Sequence, residues 1–105
     1  MKQGKNLVII EGEVATEPRF HTEGRWPRVS FTLGTPQGKF YVEGTGVPRL
    51  RDACFAPAGS SVMVVGHLFR RKSLVGIDAE QIVPLNGQDR EQATQCWERI
   101  RSILE

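Results

Sequence analysis

The stretch Leu68–Gly76, LFRRKSLVG, places three consecutive cations directly after an aromatic residue. Phe69 is followed by Arg70, Arg71 and Lys72, and apolar residues lie on both sides of the group. Arginine and lysine side chains neutralise phosphates, and an exposed aromatic ring offers a flat surface on which a nucleotide base stacks. A charged turn can also do no more than keep a hairpin soluble. Which interpretation holds depends on the fold that carries the stretch.

A second group of cations and rings lies in the first half of the chain. Its cations are Arg19, Arg25, Arg28 and Lys39, and its rings are Phe20, Trp26, Phe40 and Tyr41. Neighbouring residues of a strand face opposite ways, so only one of Phe40 and Tyr41 faces outward. We expect it to be Tyr41, because its hydroxyl tolerates water. Trp26 either meets a ligand or covers one end of the fold, and the residues leave both interpretations open.

The composition limits the class of protein. The chain has 105 residues, about one domain, and a formal net charge of +2 at pH 7. Residues 1–88 carry 11 basic and 8 acidic side chains, whereas residues 89–105 carry 3 and 4. This mildly basic body permits nucleic-acid binding. No apolar run is long enough to cross a bilayer, and the first residues lack the apolar centre of a signal peptide, so we expect a cytoplasmic protein.

The residue types that most often act in catalysis or bind metals form no recognisable pattern. His21 and His67 have no partner at the spacing of a metal site or a nucleophile triad. Cys54 and Cys96 match no metal or redox motif, and we expect them to be small apolar residues. The sequence therefore predicts a binding protein rather than an enzyme, with no metal and no other cofactor.

The pattern of apolar residues predicts five strands and two helices. Alternation and β-branched residues favour strands, and apolar residues at helical spacing near the end of the chain favour an amphipathic helix. The predicted strands are Asn6–Val14, Arg25–Thr35, Lys39–Gly46, Ser61–Phe69 and Ser73–Leu85. The predicted helices are a short one opened by Pro48 and ended by Pro57 and Gly59, and residues 90–104 with Asp89 as N-cap.

Alternation also assigns the faces of the strands. The inward residues of the second predicted strand are Val29, Phe31 and Leu33, and those of the fourth are Val62, Val64, Gly66 and Leu68. Arg28 and Phe69 therefore face outward. An outward ring beside three cations favours ligand binding, although a contact between subunits would also bury it.

The order of the elements is three strands, a short helix, two strands and a terminal helix. This is the order of an oligonucleotide/oligosaccharide-binding (OB) barrel, in which closure protects the edges of a small sheet. We therefore expect a mainly β protein, a five-stranded OB-fold barrel with a short helix between strands 3 and 4 and a C-terminal α-helix. The expected division is residues 1–87 for the OB-fold domain and residues 88–105 for the amphipathic helix.

Four short motifs follow one another along the chain. They are N-x-V-x-I-x-G (Asn6–Gly12), P-x-V-S-F-T-L (Pro27–Leu33), G-S-x-V-x-V-x-G-x-L (Gly59–Leu68) and D-A-E-Q-I (Asp78–Ile82). In this order they resemble the bacterial single-stranded-DNA-binding proteins and their relative, the primosomal OB-fold protein of replication restart. The resemblance covers residues 6–85 and implies binding of single-stranded DNA by the exposed sheet face and its flanking loops.

Some features depart from the pattern of that family. The link between the second and third predicted strands and the turn between the fourth and fifth are short. The chain ends in RSILE on a predicted helix, where the family's members usually carry a flexible acidic tail. We therefore expect a specialised or accessory role rather than general coating of DNA.

Leu7 and Ile9 are a different kind of signal. If Val8, Ile10 and Gly12 face the core, these two apolar side chains face outward. The resemblance implies a homodimer in which the first strand pairs with its symmetry mate, which would bury both side chains and an open edge. The alternative is that the terminal helix covers them within one subunit.

Together these features predict largely sequence-independent binding of single-stranded DNA in replication, repair or replication restart. The candidate binding residues are Arg25, Trp26, Arg28, Lys39, Tyr41, Phe69, Arg70, Arg71 and Lys72. The expected partners are single-stranded DNA, further copies of the chain in a dimer or tetramer, and replication or repair proteins, but no membrane. Two alternatives stay open. One is an OB module that assembles proteins and binds little nucleic acid, and the other is a protein that binds structured RNA.

Overall fold

The computed structural model describes residues 6–85 and 90–105. Its elements are β1 (Leu7–Val14), β2 (Arg19–His21), β3 (Arg28–Thr35), β4 (Gly38–Thr45), α1 (Val47–Ala53), β5 (Ser61–Arg71), β6 (Leu74–Pro84) and α2 (Arg90–Leu104). The five predicted strands are all present, as β1, β3, β4, β5 and β6, with bounds that differ by at most three residues. The predicted N-cap Asp89 and the predicted domain boundary after residue 87 lie outside the described residues.

The strands close into a barrel. Around the ring the order is β1, β5, β6, β4 and β3, and β1 returns to pair with β3. β4 and β6 run parallel, and the other neighbouring strands run antiparallel. The closing contact is short, because only Glu13 and Val14 of β1 pair with Gly34 and Leu33 of β3. The predicted mainly β OB-fold barrel with its short helix and its terminal helix is thus confirmed.

β2 has no counterpart among the predicted strands. Its three residues pair with Arg28–Ser30 of β3, along the part of the β3 edge that β1 leaves free. Three residues are too few for an alternating pattern to be recognised, so this strand is defined only by its pairing in the folded chain.

The barrel core consists of inward residues of the strands together with Ala56, which follows α1. Its buried members are Val14, Phe31, Leu33, Val42, Ala56, Val62, Val64, Ile77, Ala79 and Ile82, with Val8, Ile10 and Phe40 packed against them. Phe31 is buried as predicted. The alternation in β3 and β5 therefore places the buried residues of these strands on the side that the sequence indicates.

The hairpin of β5 and β6 is longer than the barrel. Beyond His67, β5 pairs only with β6, and a two-residue turn of Lys72 and Ser73 joins the two strands. Leu68 lies on the predicted inward side, but 37% of it is exposed, because it has passed the end of the core. The predicted side of Leu68 is therefore correct, but the residue is exposed rather than buried in the core.

The two helices pack against each other and form a second core. Its buried members are Val29, Leu50, Ala53, Cys54 and Ile100, with Phe20, Cys96, Trp97 and Leu104 against them. Burial, together with the adjacent Cys96 thiol, raises the pKa of the Cys54 thiol, so this thiol stays protonated. Neither helix in the described part of the chain is long and apolar enough to cross a bilayer.

α1 ends earlier than predicted. The amide N–H groups of Cys54, Phe55 and Ala56 bond three residues back, to the carbonyl oxygens of Arg51, Asp52 and Ala53. These tight turns end the α-helix before Pro57 is reached.

Leu7 and Ile9 stay exposed in the single chain, at 55% and 63%. The apolar side of α2 is occupied by α1 and by neighbouring residues of β2 and β3, so it does not cover β1. The alternative in which the terminal helix buries these two residues is therefore wrong.

We expect Gly66→Ala to lower the free energy of unfolding. The ladder between β5 and β6 is irregular at this point, and a Cβ on Gly66 would collide with the carbonyl oxygen of Asp78 and lie 2.9 Å from the Cα atom of Ala79. Backbone atoms cannot move aside easily, so the expected loss is about 1–3 kcal/mol in urea denaturation. Gly34→Ala is the control, because its Cβ would meet nothing closer than 3.7 Å. Equal stability of the two variants would contradict this description of the barrel.

Candidate nucleic-acid interface

The candidate interface is the outer face of the barrel, meaning the side of β3, β4, β6 and β5 that points away from the core. One row of paired residues crosses it. Thr32 pairs with Tyr41, Tyr41 with Gly76, and Gly76 with Phe69. Paired residues of neighbouring strands share a face, so Tyr41 and Phe69 lie on the same side with only a glycine between them.

Tyr41 and Phe69 form an aromatic platform. Their ring centroids are 6.5 Å apart and the ring planes are nearly perpendicular, at 89°. The Phe69 ring lies over Gly76, where an added Cβ would come within 2.5 Å of its Cζ atom. The Phe69 ring can therefore lie over Gly76 only because Gly76 has no side chain. Phe69 faces the side that alternation predicts, and Tyr41 rather than Phe40 faces outward, as expected from its hydroxyl.

Arg71 packs on this platform and is paired with a carboxylate. Its Cζ atom lies 4.6 Å from the centroid of the Phe69 ring. Its Nη2 donates to Glu43 Oε1 over 2.9 Å, and the Tyr41 hydroxyl donates to Glu43 Oε2 over 3.5 Å. The predicted phosphate ligand Arg71 thus already has an anionic partner within the chain.

Glu43 is central to the site, although it is not among the candidate residues predicted from the sequence. Its side chain is 17% exposed and lies on the same face as Tyr41. Alternation in the third predicted strand could have placed it there, two residues after Tyr41. No pattern in the sequence indicates the ion pair of Glu43 with Arg71, because β6 lies between β4 and β5, the strands that carry them.

Trp26 and three arginines line a groove beside the platform. Trp26 is 69% exposed, so it does not cover an end of the barrel. The groove has a volume of about 480 Å³, and its lining residues are Glu23, Gly24, Arg25, Trp26, Arg28, Glu43, Thr45 and Arg71. The structure thus brings Arg25, Trp26, Arg28 and Arg71 together.

The remaining candidates lie around the hairpin. Arg70 lines an adjoining groove with Phe69, Arg71 and Asp78, and Lys39 lines another with Tyr41. Lys72 is in the hairpin turn, exposed at the tip. Within residues 6–85 and 90–105, no carboxylate forms an ion pair with any cation of the following set: Arg25, Arg28, Lys39, Arg70 and Lys72.

Two rings of the second sequence group belong to the cores instead. Phe40 packs against the barrel core and Phe20 against the helical core. Two other residues near the site come from the unpredicted strand β2. Arg19 and His21 line a groove that Ser30, Thr32 and Tyr41 also line.

Comparison with known proteins places this fold. No family model matches the sequence, and no curated protein matches it. Solved structures do match. The single-stranded-DNA-binding (SSB) domain of a protein from Synechococcus sp. has a TM-score of 0.72 at 14% identity, over 79% of this chain and 99% of that one.

Two further solved structures have a similar fold. The wild-type single-stranded DNA binding protein from Thermus aquaticus has a TM-score of 0.69 at 18% identity, over 81% of this chain and 43% of that one. The second single-stranded DNA binding protein from Mycobacterium smegmatis has a TM-score of 0.66 at 21% identity, over 84% and 90%. The chain has the fold of these SSB proteins. The resemblance seen in the four sequence motifs is confirmed at the level of the fold.

We expect Lys72→Gly to raise the free energy of unfolding by about 0.5 kcal/mol. Lys72 has a φ of 54°, in the left-handed region that favours glycine, and this relief outweighs the greater freedom of glycine in the unfolded chain. Ser73→Gly is the control, because Ser73 does not have a positive φ and should lose stability. Urea denaturation measures both changes. A less stable Lys72→Gly variant would contradict the turn geometry.

Proposed function

We propose that the chain binds single-stranded DNA on the outer face of its barrel, largely without sequence preference. The observation that carries the proposal is the aromatic platform of Tyr41 and Phe69 among the cations of the surrounding grooves. Of these cations, only Arg71 forms an ion pair within residues 6–85 and 90–105. Rings stack on any base, because every base has a flat π-face. The cations neutralise phosphates and release counterions, which makes the binding depend on salt.

The grooves of the outer face support a continuous path for a flexible strand. The groove that contains Trp26 and the groove that contains Arg70 share Glu43, Thr45 and Arg71. The grooves beside β2 and beside Lys39 share Thr32 and Tyr41. A strand that follows them meets cations on both sides of the platform.

The fold shared with SSB proteins supports this function, since the names of those proteins state that they bind single-stranded DNA. A role in replication, repair or replication restart, a primosomal partner and a cytoplasmic location stay predictions from the sequence. The proposed binding uses stacking and charge alone and requires neither a metal nor a cofactor.

We expect the affinity for a labelled oligo-dT to fall steeply between about 50 mM and about 200 mM salt. Arg70→Ala combined with Lys72→Gly should weaken binding and reduce the slope of log affinity against log salt by about 1.4, because each phosphate contact contributes about 0.7 for a single strand. Arg90→Ala combined with Arg99→Ala is the control, since it removes the same charge from α2, which lines none of the grooves of the outer face.

Three outcomes would count against the proposal. Negligible affinity of the wild-type chain at both salt concentrations would favour a protein-interaction module. Preference for a folded RNA over oligo-dT would favour an RNA-binding protein. Equal effects of the two double variants would show that the hairpin cations only keep the turn soluble.

A homodimer through β1 is the second part of the proposal. Between Leu7 and Gly12, β1 pairs with β5 on one edge and with no other described strand. An open strand edge next to exposed Leu7 and Ile9 is costly for a soluble protein, and pairing with a second β1 would satisfy the backbone groups and bury both side chains.

We expect Ile9→Asp to convert the dimer into a monomer in light scattering after gel filtration. A charge in a buried apolar contact has no partner there, so it opposes association. Ile103→Asp on α2 is the matched control, because Ile103 is 64% exposed, much like Ile9, and should leave the dimer intact. A monomeric wild-type chain, or equal loss of the dimer in both variants, would contradict the proposed interface and leave the DNA-binding proposal unaffected.

A further inference from the structure

Arg71 covers the Phe69 ring, on which a base would stack in the proposed complex. Its guanidinium lies over Phe69, with 4.6 Å between Cζ and the ring centroid. A base in van der Waals contact with the same side of the ring would need that space, since contacting carbon atoms lie about 3.5–4.0 Å apart. In the free protein, one side of the platform is therefore occupied by the chain's own side chain.

Glu43 holds Arg71 in this position. Its carboxylate bonds Arg71 through one oxygen and the Tyr41 hydroxyl through the other, over 2.9 Å and 3.5 Å. The Glu43 side chain is 17% exposed, whereas that of Arg71 is 61% exposed. The carboxylate thus lies half-buried on β4, and the more exposed arginine side chain reaches over to it from β5.

We propose that Glu43 acts as an internal competitor for phosphate, which keeps Arg71 over Phe69 until single-stranded DNA arrives. This inference rests on the proposed function. On binding, a phosphate takes the guanidinium from Glu43, and a base takes its place on the ring. Glu43 thereby sets the affinity of the site and its dependence on salt, because the wild-type protein must break the ion pair of Glu43 with Arg71 before a base can stack on Phe69.

The neighbourhood of Glu43 provides a matched control. Asp78 of β6 is paired in register with Glu43 and lines the same groove as Phe69 and Arg71. It is exposed and has no ion pair within residues 6–85 and 90–105. Asp78→Asn therefore removes one negative charge from the same face without releasing Arg71.

The test is Glu43→Gln in the full chain, titrated with oligo-dT at two salt concentrations. Glutamine keeps the shape and accepts the Tyr41 hydroxyl bond, but it no longer holds the cation by charge. We expect the affinity at about 50 mM salt to rise threefold to tenfold and the salt slope to become steeper by about 0.7, the contribution of one phosphate contact. In the wild-type protein this contribution is cancelled, because the Glu43 carboxylate that Arg71 leaves takes up a cation from solution. The gain should shrink about threefold by about 200 mM salt, as the steeper slope requires.

Two comparisons isolate the role of Arg71. Asp78→Asn should raise the affinity less and leave the slope unchanged. In an Arg71→Gln background, Glu43→Gln should change the slope no more than Asp78→Asn does. The unfolding midpoint of each variant, measured alongside, separates these effects from a loss of folded protein.

The possible results distinguish the inference from the function on which it rests. If the wild-type chain binds oligo-dT and Glu43→Gln binds equally or more weakly, Glu43 is no competitor and instead keeps Arg71 in place as part of the stacking surface. Binding by Glu43→Gln alone would support the inference strongly. Absence of binding by both proteins would overturn the inference and the proposed function together.

Discussion

The contact that closes the barrel is small, and the arrangement of the whole outer surface depends on it. Glu13 and Val14 of β1 meet Gly34 and Leu33 of β3, and no other pairs join these two strands. The close approach continues at Gly12, where a Cβ would collide with the carbonyl oxygen of Gly34. Closure at one end curves the sheet around its core, and it leaves Leu7–Gly12 of β1 with a free edge.

The site follows from this geometry and from the register of three strands. The row from Tyr41 through Gly76 to Phe69 is possible because a parallel pair and an antiparallel pair meet at β6. Stacking on such rings is worth about 1–3 kcal/mol per base. Attraction between cations and phosphates adds binding energy that decreases as the salt concentration rises. The same face carries Glu43 and Asp78, so its net attraction for a polyanion is restrained from within the sheet.

Features that depend on local patterns could be predicted from the sequence. Alternation placed Phe31 inside and Phe69 outside, and the hydroxyl of Tyr41 favoured it over Phe40 as the outward ring. The order of the elements indicated the barrel, and four short motifs indicated the resemblance to a family. Features that depend on distant parts of the chain could not be predicted. The ion pair of Glu43 with Arg71 spans two strands that are not neighbours, and β2 exists only because β1 leaves part of an edge free. The exposure of Leu68 depends on where the core ends, which alternation does not encode.

The central claim is that DNA passes over the platform of Tyr41 and Phe69, and photo-cross-linking tests it most directly. An oligonucleotide with 5-iodouracil in place of thymine would be irradiated with the protein, and the linked residues would be identified by mass spectrometry. The account predicts links to Tyr41, Phe69 and Trp26 on the outer face. Links confined to Trp97 on α2, or the absence of any link to the outer face, would contradict it.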